Sequence, residues 1–363
     1  MDPKKVVVAM SGGVDSSVVA ALLVEQGYDV TGMMLRLWSE PGSEAENRCC
    51  APDAMALARR VAAKLSIPFY VIDARQAFRE IVVQSFINGY THNTTPNPCL
   101  TCNRHLRWDF LLQRALASGA DHLATGHYAR LQATPNGVQL LRAVDQHKDQ
   151  SYVLHALNQA QLQHTSFPLG TYTKPEVRTL ARKFNLPVAE RPDSQDLCFL
   201  GASDYHAFLV RHAPAAANPG PILDQHGAQL GTHQGLAFYT IGQRKGLRIA
   251  APHPLYVLQK DASRNALIIG PAEELGQAEL VAVNPHWISG QAPEGPFRAQ
   301  VKIRYKARLE SGLVTPQPSG SFHIRFDSPL RDITHGQAAV LYDGETCLGG
   351  GTISSTPIPN PPE

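Results

Sequence analysis

The sequence predicts an α/β chain that opens on a doubly wound parallel sheet and continues into smaller strand-rich modules. Two observations carry this. Up to about Gly201, short apolar runs rich in β-branched residues alternate with helical patterns, the order expected of a parallel sheet with crossover helices. From Ala213 to Pro221 the composition shifts to Ala, Pro and Gly, and beyond it strand-like runs are separated by frequent Gly and Pro turns. The expected divisions are 1–203, a small central domain at 204–281, a C-terminal β-barrel at 282–355 and a flexible tail at 356–363, where the prolines cannot join a sheet.

The first element is the run Val6-Val7-Val8-Ala9, which reads as a buried parallel strand. Ser11-Gly12-Gly13 turns the chain, and Ser16 to Leu23 reads as a helix ending near Gly27. Glycines let backbone N–H groups approach an anion. The helix start adds unpaired donors and the positive end of its dipole, so phosphate is the expected guest. Val30 to Trp38 is the second strand, and Asp53 begins a helix with Met55, Ala58, Val61, Ala62 and Leu65 on its apolar face. Phe69 to Asp73 is a third strand, Phe78, Ile81, Val82 and Phe86 line the next helix, and His122 to His127 is a fourth strand ending in a turn.

Ligands of such sheets bind beyond the carboxyl ends of the strands, which places Leu35, Gly126 and His127 on the rim of the Ser11 turn. Further on, Thr173-Lys174-Pro175-Glu176 opens a helix with a capping box and makes Val177, Leu180 and Ala181 core. That segment reads as structure, not chemistry.

A length of 363 residues suits two or three domains, and 43% hydrophobic with 18% charged residues describes an ordinary globular chain. The formal net charge is only +2, so a polyanionic partner has to be met by local patches. Met1-Asp-Pro-Lys-Lys5 leads directly into a strand with no signal or membrane-spanning pattern, so the cytoplasm is the expected compartment. Six cysteines in a chain this long suit a reducing compartment rather than a disulfide framework.

Asn97-Pro-Cys-Leu-Thr-Cys-Asn103 reads as a loop carrying Cys99 and Cys102. A Cys-x-x-Cys of this kind serves as a redox pair, half a zinc site or part of an iron–sulfur site. No second Cys-x-x-Cys exists, which argues against a closed zinc site. Cys198 sits in the polar run Asp193-Ser-Gln-Asp-Leu-Cys-Phe199. Two thiols distant in sequence and brought to one nucleotide site suit sulfur transfer, in which a thiolate attacks sulfur. Cys49, Cys50 and Cys347 read as small buried hydrophobes.

Met10-Ser-Gly-Gly-Val-Asp-Ser16 has neither the Walker lysine nor the dinucleotide glycines. It resembles the PP-loop of the N-type ATP pyrophosphatases, which hold the pyrophosphate of ATP and leave AMP on a substrate oxygen. With Asn97 to Asn103, Ala124-Thr-Gly-His-Tyr-Ala-Arg130, Lys148-Asp-Gln-Ser-Tyr152, Ser194 to Phe199, Tyr239-Thr-Ile-Gly-Gln-Arg-Lys-Gly-Leu247, Arg304-Tyr305 and Cys347-Leu-Gly-Gly-Gly351, the chain resembles the tRNA-specific 2-thiouridylase (MnmA/TrmU) family over nearly its whole length.

That resemblance implies a Rossmann-like PP-loop domain with a parallel sheet, a small central domain and a C-terminal β-barrel. It implies adenylation of the C2 oxygen of the wobble uridine in the tRNA anticodon loop. A persulfide on Cys198 then attacks, and Cys102 closes a disulfide with Cys198. ATP contacts fall on Ala9, Met10, Ser11, Gly12, Gly13, Val14, Asp15, Ser16, Leu35 and Gly126, with Asp15 as the carboxylate near Mg²⁺-bridged phosphates. Target-base contacts fall on Asn97, Pro98 and Cys99, and further tRNA contacts on His127, Lys148, Asp149, Gln150, Arg304, Tyr305, Lys306 and Gln337.

A persulfide donor protein, no membrane and a monomeric state complete the expectation. Many family members carry Asp where this chain has Cys99. Cys99 is then either a spare thiol or, with Cys102 and Cys198, one of three ligands to a [4Fe-4S] cluster with one open iron. Finally, Val301 to Leu309 alternates with period two, which predicts a strand presenting Lys302, Arg304, Lys306 and Arg308 on one face toward phosphates.

Overall fold

A computed structural model describes residues 4–42, 52–192, 197–200 and 205–354. Cys49, Cys50, the Asp193 to Asp196 part of the Cys198 motif and the tail 356–363 lie outside the described residues.

The N-terminal part runs β1 (Lys5–Ala9), α1 (Val14–Glu25), β2 (Asp29–Arg36), α2 (Pro52–Lys64) and β3 (Phe69–Asp73). A long helical stretch follows, made of α3 (Arg75–Phe78), a π-helical segment Arg79–Val83 and α4 (Gln84–Thr91). A second stretch comprises α5 (Pro98–Thr101), a π-helical segment Cys102–Leu111 and α6 (Leu112–Ala117); the loop expected over Asn97 to Asn103 is corrected, because Asn97 caps α5 by accepting from the Cys99 amide and Cys99 and Cys102 are helical. Then come β4 (His122–Ala124), the hairpin β5 (Ala129–Thr134) and β6 (Gly137–Arg142), α7 (Ser151–Leu154), α8 (Gln159–Gln163), β7 (Thr165–Ser166) and α9 (Lys174–Lys183). Strands β3-β2-β1-β4-β7 form one sheet in that order, parallel at every pairing.

Val6 to Val8 are almost fully buried, because helices cover both faces of the sheet. One core packs α1, α2 and α9 on one side of the sheet. On the other side, Trp108, Leu111 and Leu112 pack with residues of the C-terminal barrel.

After α10 (Tyr205–His212) a four-stranded sheet holds β8 (Gly220–Leu223), β9 (Gln229–His233), β10 (Tyr256–Asp261) and β11 (Ala266–Gly270) in the order β10-β11-β8-β9. The last strands are β12 (Gln277–Trp287), β13 (Phe297–Lys302), β14 (Glu310–Pro316), β15 (Phe322–Leu330), β16 (Ala338–Asp343) and β17 (Thr346–Ile353). They close as β12-β15-β14-β13-β16-β17-β12, a six-stranded barrel. Strand β12 begins before residue 281, so the expected division there falls inside a strand. The hairpin β5–β6 joins the same sheet through β17, with Thr346 opposite Leu141, and ties the first module to the barrel.

The expected strand from Val301 to Leu309 is corrected. β13 ends at Lys302, and β14 folds back on it with Val301 opposite Glu310, so the residues between them are the connection of a hairpin. The four cations do not share a strand face. Lys302 is 8% exposed with its Nζ 5.7 Å from the Tyr305 ring centre, and Arg304 pairs with Asp332 at 2.7 Å. The helix expected over Phe78 to Phe86 forms and buries Phe78, Val82 and Phe86 but leaves Ile81 38% exposed.

Phe86 is the hub of an aromatic cluster, with ring centres 4.9 Å from Tyr90, 5.3 Å from Phe199 and 6.0 Å from Phe208. Truncating a fully buried phenylalanine leaves a cavity, so Phe86→Ala should lower stability by about 3–5 kcal/mol. Urea unfolding measures this. Limited proteolysis should also show faster cleavage next to Phe199, whose packing the same ring supports.

Candidate active site

The loop between β1 and α1 is shaped by its neighbours. Gly12 has φ +69°, and a Cβ there would lie 2.2 Å from the Ala54 carbonyl oxygen at the start of α2. Only glycine meets both demands. The Ser16 hydroxyl accepts a bond from the Ser11 amide at 3.1 Å and lies 3.2 Å from the Ser11 hydroxyl, while Ser17 Oγ donates to the Gly13 carbonyl at 2.8 Å. Arg191 donates to the Gly12 carbonyl at 2.8 Å. Gly126, just past β4, backs onto the first turn of α1: a Cβ there would be 3.0 Å from the Ser16 amide nitrogen and 3.1 Å from Asp15 Cβ. Of the strand-end residues expected at the loop, Gly126 is thus packed against it.

Asp15 in that first turn is held from two sides. Lys174 Nζ donates to both its oxygens, at 2.7 and 2.9 Å, and the Tyr128 hydroxyl donates to Oδ1 at 3.0 Å. The Thr173 helix, expected to be purely structural, supplies Asp15 with this ion pair from its first residue. The capping box itself forms as expected, with the Thr173 amide donating to Glu176 Oε2 at 2.7 Å. A signal was present in the sequence: a lysine at the first position of a helix opposes the macrodipole, so it has to be kept there by another partner. Tyr128 and Arg191 are the other site residues that sequence reasoning missed. Tyr128 is set by Gln150, whose Oε1 accepts from its amide at 2.9 Å and whose amide donates to its carbonyl at 2.8 Å.

Cys99 is exposed, and its backbone is clamped by Asn97 Oδ1, accepting from the Cys99 amide at 3.1 Å, and by Asn103 Nδ2, donating to its carbonyl at 3.0 Å. Pro98 is buried beneath it. Cys102 and Cys198 are both half-buried, and both pack against the same apolar cluster as Leu35, the last but one residue of β2. Among the described residues no group of three or more His, Cys, Asp or Glu side chains is arranged to hold a metal ion. The three-cysteine alternative of Cys99, Cys102 and Cys198 is thus not assembled among the described residues. Mg²⁺ differs, because it needs only one or two carboxylates together with substrate phosphates.

Several residues expected at the nucleic acid are placed in the interior. His127 is 8% exposed, its Nδ1 lies 2.7 Å from Thr125 Oγ1, and its ring packs 5.4 Å from Trp108 and 6.1 Å from Phe167. Burial, then the charge of Arg107, holds it neutral well below the ordinary histidine range. Asp149 is 3% exposed and accepts from the Ala143 amide at 3.1 Å, the Ser151 amide at 3.2 Å and the Ser151 hydroxyl at 3.0 Å. Tyr305 is half-buried, with its hydroxyl pushed up to about 12 by burial and then by Asp149 and Cys99. Gln337 Nε2 donates to the Thr95 carbonyl at 2.7 Å, fastening the barrel to the segment before Asn97. Lys306 is exposed and Lys148 half-buried. Cys347 is 1% exposed with its thiol pushed up to about 12 by burial, as read from the sequence.

The parallel sheet, the glycine turn at the mouth of β1 and the carboxylate in the first turn of α1 define a chain of the PP-loop ATP pyrophosphatase class. Three family models match in succession: the tRNA methyl transferase HUP domain over 4–202, the tRNA methyl transferase PRC-barrel domain over 206–271 and the aminomethyltransferase beta-barrel domain over 277–353. The tRNA-specific 2-thiouridylase MnmA of Magnetococcus marinus is 49% identical over 354 residues, covering 97% of this chain and 99% of that one. That of Roseiflexus castenholzii is 47% identical, covering 96% and 99%. The chain belongs to the tRNA-specific 2-thiouridylase family. Among solved structures, the U34-tRNA thiolase NcsA from Methanococcus maripaludis aligns over 59% of this chain and 69% of that one at 21% identity and a TM-score of 0.38.

Two measurements test this geometry. Gly126→Ala should press α1 outward and raise the Kd for ATP about tenfold, equivalent to ~1.4 kcal/mol, as read by isothermal titration; unchanged affinity would show that the close approach is dispensable. Iodoacetamide at pH 8 should leave Cys347 unmodified in the native protein and alkylate it once urea has unfolded the chain, since its thiolate is scarce while buried.

Proposed function

We propose that this chain is a tRNA 2-thiouridylase that activates the wobble uridine of its tRNA with ATP and delivers sulfur through Cys198 and Cys102. The observation that carries the reading is the packing of Cys102, Cys198 and Leu35 on one apolar cluster, with Leu35 on the strand next to the one that ends at the phosphate loop.

In this reading the amides and hydroxyls of Ser11 to Ser16 cradle the pyrophosphate of ATP. Asp15 would hold a Mg²⁺ ion bound with the phosphates, which would neutralise their charge, and Lys174 would turn its ammonium from Asp15 to the phosphates. The uridine C2 oxygen attacks the α-phosphorus, pyrophosphate leaves, and a poor leaving oxygen becomes part of a good one. The terminal sulfur of a Cys198 persulfide attacks C2, and AMP departs with the old oxygen. The Cys102 thiolate then attacks Cys198 Sγ. The persulfide S–S bond breaks, a Cys102–Cys198 disulfide forms, and sulfur stays on C2 as 2-thiouridine. A thiol reductant returns the disulfide to two thiols, and a persulfide donor protein reloads Cys198.

A base within a duplex cannot reach such a site, whereas an anticodon-loop base can be splayed out. Asn97, Cys99, Lys148 and Lys306 are accessible for contact with that loop, while His127, Asp149 and Gln150 act by positioning the residues around them. We further infer that the protein works as a cytoplasmic monomer. Among the described residues no helix is long and apolar enough to cross a membrane.

Cys198→Ser should still bind tRNA and ATP yet form no 2-thiouridine, measured by nucleoside analysis after incubation with ATP, tRNA and a persulfide source. Retained thiolation would refute the persulfide role. Lys174→Met should slow pyrophosphate release at least tenfold, because both Asp15 oxygens lose their cationic partner; a normal rate would return Lys174 to a purely structural role.

A further inference from the structure

The turn that follows α9 reaches back to the Ser11 loop. α9 shares a core with α1, to which it gives Val177 and Ala181, and its first residue, Lys174, binds Asp15. Past its end, Arg191 Nη1 donates to the Gly12 carbonyl at 2.8 Å, across 179 positions of sequence. Arg191 is half-buried, and among the described residues that carbonyl is the only hydrogen-bond partner of its side chain. The turn that presents it is braced. The Arg191 amide donates to the Val188 carbonyl at 3.0 Å, Arg178 Nη1 donates to the Ala189 carbonyl at 2.9 Å, and Val188 is buried in the same core.

The Gly12 carbonyl matters for what lies at the other side of its peptide. A trans peptide is planar, and its C=O and N–H point in opposite directions. Holding the Gly12 oxygen on Arg191 therefore holds the Gly13 N–H on the side away from the guanidinium. With glycine on both sides, the backbone itself puts little restraint on which way this peptide faces. The loop has few donors to spare. The Ser11 amide is already bound to the Ser16 hydroxyl at 3.1 Å. The bond from the Ser17 amide to the Gly13 carbonyl, at 3.4 Å, opens α1 and leaves the amides of Gly13 to Ser16 as its orphan donors. Turned over, the Gly12–Gly13 peptide would offer a phosphate an oxygen in place of an N–H.

We propose that Arg191 is a positioning residue of the nucleotide site, which locks the Gly12–Gly13 peptide so that the Gly13 N–H faces the pyrophosphate part of ATP. This role rests on the reading of the Ser11 to Ser16 turn as the seat of that pyrophosphate. Together with Lys174 it makes α9 and its following turn a clamp that holds the loop at Gly12 and at Asp15.

Isothermal titration on the full-length protein tests this, with ATP, pyrophosphate, AMP and tRNA as probes. Arg191→Met should raise the Kd for ATP and for pyrophosphate about tenfold, the loss of one aligned donor to a charged group. Affinity for AMP and for tRNA should stay unchanged, because neither uses the Gly13 N–H. Arg191→Lys, which keeps a charged donor, should recover most of the loss. Unchanged affinity for ATP and pyrophosphate in Arg191→Met overturns the role. An equal loss for AMP also overturns it, since the substitution would then have loosened the whole module. Arg191→Gln, which stays polar in the half-buried position, reads the same split if the methionine variant does not fold. An unaltered chain that binds neither ATP nor pyrophosphate would refute the phosphate reading of the loop, and this role with it. That outcome is distinct from a variant that binds them normally, and no readout needs sulfur transfer.

Discussion

The first turn of α1 is the constraint on which the site depends. It is pressed from behind by Ala54, across Gly12, and from beside by Gly126. Its carboxylate, Asp15, is drawn toward α9 by Lys174 and toward β5 by Tyr128. A helix start with unpaired amides attracts anions wherever it is left open. Here an acid in the first turn suits the helix dipole, and the lysine bound to that acid returns positive charge to the mouth of the loop. Without an anion in place, the ion pair holds both side chains in position. Lys174 is 12% exposed and Asp15 33%, so the pair is screened less than a surface salt bridge.

The three modules are coupled by specific contacts rather than strung on linkers. The hairpin β5–β6 leaves the first module to extend the barrel sheet. Gln159 of α8 donates to the carbonyls of Val138 at 2.9 Å and Ile288 at 2.8 Å, spanning that junction. In the barrel, Gln337 and His335 hold Thr95. Asp332 pairs with Arg304 and packs so closely on Gly242 that a Cβ there would lie 2.0 Å from its Oδ1. The helical segment carrying Cys99 and Cys102 thus follows a stretch anchored on the far end of the chain, and displacing the barrel would shift these thiols relative to the nucleotide loop.

Strong periodic segments were legible in the sequence. The β-branched run of β1, the glycine turn after it and the helices of α1, α2 and α9 each follow from local pattern, because burial on both faces or on one stripe imposes that pattern wherever the element sits. The segment after Val301 was misread for a physical reason. Alternating cations and apolar residues satisfy strand periodicity, but the return of β14 onto β13 requires a turn there. For His127 and Asp149, contact with nucleic acid was implied by the family resemblance alone. Their partners, Trp108 and Thr125 for one and Ser151 and the Ala143 amide for the other, are close only in the folded chain or after a local turn.

By itself the sequence determined the glycine turn after the first strand and the order of the modules, since these rest on neighbouring residues and on composition. The tertiary structure decided which charges meet. Lys174 lies 159 positions from Asp15, and Arg304 pairs with Asp332 28 positions away. Electrostatic partnership depends on distance in space and on exclusion of water, and neither can be read along a chain.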